Sequence, residues 1–160
     1  MRKKKEIPSD SLMIRLRIPL TQEQARGLIA EEAIIKGLED LVKEEIIINN
    51  LRVMEFRRTD PLSPGDLEGI DVLVRLKRGE REATMPINVK DYWNIKKVRK
   101  YRKRGIWTVS VWLQDKEKEP YSPAQIEEEA KRALIEAIKD FSKLINKVED
   151  SLKILEEPAN

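Results

Sequence analysis

Three polar residues interrupt the apolar runs of "EGIDVLVRLKRGEREATMPINVKDYWN" (residues 68–94): Asp71, Asn88 and Lys90. They bring together a carboxylate, an amide oxygen and an ammonium. In a strand, residues i and i+2 share a face. Asn88 and Lys90 therefore point one way and Ile87 and Val89 the other. By the same alternation Asp71 points away from Ile70, Val72 and Val74. If the two runs pair as a hairpin, the three side chains converge on one face. Asp71 and Asn88 can then hold a hard cation, Mg²⁺ or Mn²⁺, which keeps several waters and accepts phosphate oxygens. Such an ion polarises a phosphoryl group and lowers the pKa of a bound water. Lys90 can steady the attacking water or the charge that grows on the phosphate. The plainer alternative is a turn or edge aspartate, and a strand-end lysine whose stem lies on apolar surface.

Directly after this pattern comes "IKKVRKYRKRG". It carries Lys96, Lys97, Arg99, Lys100, Arg102, Lys103 and Arg104, and no acid occurs from Tyr92 to Leu113. On a helix, Ile95 and Val98 are expected to face the sheet while the cations fan outward. Tyr92, Trp93 and Tyr101 are interleaved, so stacking on a base or sugar is possible. The expected partner is the phosphate backbone of a nucleic acid, bound without sequence reading. The competing reading pairs these cations with the Glu-rich segment Ile126–Arg132.

Composition limits the chemistry. The chain has no cysteine and no histidine. That excludes disulfides, Cys/His zinc sites, histidine bases and histidine-containing triads. Carboxylates, lysine, amides, hydroxyls and an oxygen-bound hard ion are what remain. Charged residues make up 38% of the chain, rich in Lys, Arg and Glu, a usage common in proteins of hot environments. The formal net charge is only +3, so its distribution matters more than its sum. No apolar run is long enough for a membrane span and no signal-peptide core follows "MRKKKE", so a cytoplasmic location without membrane contact is expected.

The 160 residues suit a single domain: a basic arm over 1–11, an α/β core over 12–121 and a long C-terminal helix over 122–157. "LMIRLRI" (12–18) alternates like a strand with one wet face. Thr21 and Gln24 resemble a capping box opening a helix that runs to about Lys43, with Leu28, Ile35, Leu38 and Val42 as its buried stripe. Strands are expected at Arg52–Arg58, Gly69–Leu76 and Ala83–Lys90, with loops at "TDPLSPGD" and "KRGERE". A basic helix over 94–104 stops at Gly105. "IWTVSVWL" (106–113) is apolar on both faces, which predicts a central strand with Trp107 and Trp112 in the core. Ser122, Pro123 and Gln125 open the last helix. Its length, roughly 50 Å, predicts either a break near Asp140–Ser142 or a far half packed on another chain, as in a homodimer. The fold class is α/β, a mixed central sheet flanked by helices.

"GID…INVK", followed by a Lys/Arg-rich helix and an apolar strand, resembles the PD-(D/E)xK nuclease superfamily over about residues 50–113, with helix 22–43 as the leading element. The resemblance implies a restriction-endonuclease-like fold and metal-dependent hydrolysis of phosphodiester bonds with Mg²⁺ or Mn²⁺. DNA is the expected partner ahead of RNA. Asp71 falls on the metal-binding aspartate, Lys90 on the catalytic lysine, and Asn88 on the position between them that is usually an acid. Asn88 supplies no negative charge, so metal affinity should fall. A further acid is expected from the first helix, Glu31 first and Glu32 second; Asp60, Asp66 and Glu68 lie in the adjacent loop. Two other readings stand beside the nuclease: a nucleic-acid-binding protein on the same fold that has lost cleavage, and a structural or oligomerisation module built on the last helix.

Overall fold

In this computed structural model the chain is described over residues 21–60 and 69–156. The predicted strand at 12–18, the basic arm, Asp66 and Glu68 lie outside those residues. Helix α1 spans Gln22–Lys43, strands β1 Ile47–Ile48, β2 Leu51–Arg58, β3 Val72–Arg78 and β4 Arg81–Lys90, helix α2 Ile95–Lys103, strand β5 Trp107–Ser110 and helix α3 Pro123–Glu156. The five strands form one mixed sheet in the order β1-β2-β3-β4-β5. β1 to β4 are antiparallel neighbours and β5 is parallel to β4, joined through α2, which supplies the crossover that a parallel pair requires.

The capping box is formed: Thr21 Oγ1 accepts from Gln24 N–H at 3.0 Å and Gln24 Oε1 accepts from Thr21 N–H at 3.1 Å. The buried face of α1 differs from the expected stripe. Leu38 is buried as predicted, but its companions are Ala30, Ala33, Ile34, Gly37 and Leu41, while Leu28, Ile35 and Val42 are only half-buried. Small residues carry little weight in a hydrophobic pattern, yet they let α3 come close. A Cβ on Gly37 would stand 2.9 Å from Leu134 Cδ1.

Two hairpins set the sheet. Asn49 and Asn50 both have positive φ (49° and 67°) and form the two-residue turn between β1 and β2, a conformation suited to asparagine. The other turn is Gly79–Glu80, so β3 and β4 run further into "KRGERE" than the sequence suggested. Val72, Val74, Leu76, Met85, Ile87 and Val89 are buried on the face shared with α1 and α3.

β5 lies at the edge of the sheet among the described residues, not at its centre. Its double-sided apolarity has another cause. Trp107, Val109 and Val111 are buried, and Trp107 meets Phe141 of α3 edge-on at 4.9 Å. Trp112, expected in the core, is 44% exposed. The last helix is continuous through Asp140–Ser142, about 50 Å long. Buried Ser142 donates Oγ to Lys139 O at 2.6 Å and accepts from Asn49 Nδ2 at 3.1 Å, so the polar residue at the expected break is satisfied without one. Leu134, Ala137, Ile138 and Phe141 are buried, whereas Leu144, Val148 and Leu152 beyond them are largely exposed.

Candidate functional site

The open end of the β3–β4 hairpin positions the predicted residues. Asp71 sits one residue before β3, not inside it, because Gly69 has φ +92° and the chain turns there. Thr59 holds this approach from the β2 side: its Oγ1 donates to Ile70 O at 2.6 Å and its N–H to Asp71 O at 3.1 Å. From the β4 side, Asp71 N–H donates to Ile87 O at 2.8 Å, and the Asp71 carboxylate Oδ2 accepts from Val89 N–H at 2.7 Å. That N–H belongs to the peptide joining Asn88 to Val89, so Asp71 is held against Asn88 itself.

Asn88 is 2% exposed. Its Nδ2 donates to Gly69 O at 2.7 Å, and its Oδ1 is buried with no hydrogen-bond partner among the described residues. A buried amide oxygen left unpaired costs about 1–3 kcal/mol, which makes it available to a cation or a water. Register puts Asn88 opposite Thr108 and Lys90 opposite Ser110, on the face away from Ile87 and Val89. Lys90 is half-buried there. Its Nζ lies 6.0 Å from the ring centroids of both Tyr92 and Tyr101, and no carboxylate pairs with it among the described residues. Tyr101 also packs over Gly69, where a Cβ would meet Cε1 at 2.6 Å. One tyrosine of α2 thus covers the glycine that turns the chain into Asp71 and the lysine that ends β4.

Glu31 is not brought to Asn88 and Lys90. Arg58 Nη2 donates to Glu31 Oε1 at 2.9 Å and to Glu32 Oε2 at 2.6 Å. Arg58 pairs in register with Val72, a core-facing residue, so this cluster lies towards α1. Burial pulls the Arg58 guanidinium down, but the hydrogen bonds and charges of Glu31 and Glu32 together outweigh it and leave it raised. Asp60 is exposed. Among the described residues no three carboxylates gather as a metal-binding group. Asp71 and Asn88 still offer two hard oxygens of the kind Mg²⁺ and Mn²⁺ prefer, with a single formal negative charge.

Sequence reasoning missed Asp91, whose side chain is 11% exposed and accepts from Arg26 Nε at 2.9 Å. This pair ties the start of α1 to the end of β4. Its position immediately after Lys90 was the available signal.

No family model, no curated protein and no solved structure matches the chain. Among the described residues, no helix is long and apolar enough to cross a membrane.

α2 carries the cationic ridge. Asn94 caps it, accepting from Lys97 N–H at 3.1 Å, and Gly105 with φ +79° follows its end. Lys96, Lys97, Arg99, Lys100, Arg102, Lys103 and Arg104 are all exposed. None forms an ion pair among the described residues, and the carboxylates of α3 that do pair reach Arg78, Arg81, Arg132, Lys139 and Lys143 instead. Pairing of the ridge with Ile126–Arg132 is therefore overturned. Lys97 Nζ donates to the Tyr92 hydroxyl at 3.1 Å, which raises its pKa. The Arg102 guanidinium lies 4.4 Å from the Trp107 ring centroid. Ile95, expected to face the sheet, is 45% exposed, while Val98 is half-buried.

Proposed function

We propose that this chain is a metal-dependent nuclease of the PD-(D/E)xK kind, hydrolysing phosphodiester bonds in nucleic acid at Asp71, Asn88 and Lys90. The observation that carries the reading is the end of the β3–β4 hairpin. Asp71 is hydrogen-bonded to the Asn88–Val89 peptide, the Asn88 oxygen is buried and unpartnered, and Lys90 has no acid to neutralise it among the described residues. The element order from α1 through β2, β3, β4 and α2 to β5 fits the fold which the sequence resemblance implies.

In this reading Asp71 and Asn88 hold Mg²⁺ or Mn²⁺, which supplies Lewis-acid activation of the phosphate and of a bound water. Lys90 donates to a phosphate oxygen as charge develops. Its flanking tyrosines stand with their ring centroids 6.0 Å from Nζ and favour the ammonium by cation–π attraction. α2, with its six cations and its C-cap Arg104, none of them ion-paired among the described residues, binds backbone phosphates and lays the strand across the site.

A specific observation favours a second reading, nucleic-acid binding without cleavage. Among the described residues only one carboxylate stands at the site, Asp71 already accepts from Val89, and Glu31 is engaged by Arg58. The two readings part in one experiment. Plasmid, single-stranded DNA and RNA are incubated with the protein and Mn²⁺, with EDTA as control. Cleavage lost with EDTA and with Lys90→Ala supports the nuclease. Salt-dependent binding without cleavage supports the second reading. Under either, neutralising Lys96, Lys97, Arg99 and Lys100 flattens the salt dependence. Absence of any binding at low salt overturns both.

A further inference from the structure

All three tryptophans of the chain, Trp93, Trp107 and Trp112, line one cleft of about 210 Å³ where α2 and β5 meet α3. Trp93 is 52% exposed and Trp112 44%, while Trp107 forms the buried part. A single exposed aromatic ring on a surface needs no account. Two exposed indoles facing one cleft beside an unpaired cationic helix do. Arg102 belongs to both features: it is one of the seven cations and its guanidinium covers Trp107. Two residues of the lining carry buried polar atoms with no hydrogen-bond partner among the described residues, Nε1 of Trp107 and Oγ1 of Thr108, and such atoms in a native site call for a water or a ligand. Thr108 stands directly opposite Asn88, so the cleft begins one strand away from the candidate metal ligands.

We infer that this cleft takes one unpaired nucleobase, stacked on Trp93 or Trp112, so that the nucleic acid held along α2 is single-stranded where it crosses β5. The inference rests on the nucleic-acid reading above and names its substrate class. The volume suits a planar ring system and is small beside pockets that enclose whole drug-sized ligands. Stacking accepts any base because every base has a π-face. Arg102, already stacked on an indole, can turn to the phosphate of the same nucleotide.

The test compares three labelled oligonucleotides of equal length by fluorescence anisotropy with the full chain in EDTA: a single strand, the duplex, and a single strand whose central sugars lack bases. The abasic strand keeps the phosphate charges and removes only the rings. Binding of the single strand at least about tenfold tighter than of the other two is expected, together with quenching of tryptophan fluorescence. The double variant Trp93→Ala/Trp112→Ala should lose that preference, and Trp93→Phe/Trp112→Phe should recover most of it. Both positions are exposed, so circular dichroism should be unchanged. Equal affinity for the abasic strand, or a preference that survives the double alanine variant, overturns the base cleft while leaving phosphate binding by α2 intact. Failure of all three to bind overturns the cleft together with the reading beneath it.

Discussion

The Asp71 carboxylate accepts the Val89 N–H at 2.7 Å, which makes one side chain both a candidate metal ligand and the last rung of the β3–β4 ladder. The β3 backbone has already turned away at this point, and Oδ2 serves in place of a main-chain carbonyl. The two roles separate by substitution. Asp71→Asn keeps an oxygen for Val89 and should lose less stability than Asp71→Ala. Asp71→Ala leaves a strand N–H without its acceptor and should cost about 1–3 kcal/mol. Both should abolish Mn²⁺-dependent cleavage. Denaturant unfolding beside a cleavage assay measures the two effects; equal stability loss in the two variants would show that charge, not the hydrogen bond, holds the ladder.

Asn88→Asp tests the metal directly. It restores the acid that the resemblance expects, in a side chain of the same shape. Without metal it puts a second carboxylate against Asp71 and removes the donor to Gly69 O, so stability should fall by about 2 kcal/mol or more. Mn²⁺ bound between the two carboxylates returns stability through binding to the folded state alone. Thermal melts in EDTA and in Mn²⁺ should therefore differ more for Asn88→Asp than for the unaltered chain. Equal differences would remove the ion from this site.

Gly69→Ala tests whether α2 is seated on the site. A side chain there meets two obstacles, a backbone at φ +92° and the Tyr101 ring at 2.6 Å. Backbone strain of this kind costs about 1–3 kcal/mol. Tyr101 must withdraw and take its contact with Lys90 along. The expected outcome is a lowered melting temperature together with weaker oligonucleotide binding. Loss of stability with binding unchanged would show that the ridge acts independently of the hairpin end.

Much of this arrangement was legible in the chain because its signals are local. The hairpin follows from two alternating runs around a polar turn. The caps of α1 and α3 follow from Thr21/Gln24 and Ser122/Gln125, and the end of α2 from Gly105. The misreadings share a cause, partners distant in sequence. α1 turns its small residues inward because α3 needs the room at Gly37. Glu31 was expected at the metal, but its partner, Arg58, lies far along the chain. Trp107 and Trp112 are alike by type, and only the packing of α3 at the sheet edge buries one and exposes the other. The turn at Asn49–Asn50 was a signal present in the sequence and passed over. The buried, unpartnered oxygen of Asn88 has no sequence signature at all, since burial and partnering are properties of the assembled sheet.

The far half of α3 carries the last prediction. Ile145, Val148 and Leu152 continue the spacing of threes and fours along α3, and Val148 and Leu152 remain 49% and 41% exposed. They face an apolar groove of about 380 Å³ shared with Leu51, Leu76 and Phe141. The rim carries both signs: Arg78 and Arg81 on the hairpin reach Glu149 on the helix at 3.2 and 3.7 Å. An apolar seam of this spacing suits an identical helix, and a homodimer would pair this patch with itself across a twofold axis. A second copy of the chain is accordingly the proposed occupant. Sedimentation equilibrium should give twice 18.7 kDa. Leu152→Glu should halve that mass without unfolding the chain, because Leu152 is largely outside the core. A monomer for the unaltered chain at high micromolar concentration would leave α3 as scaffold alone.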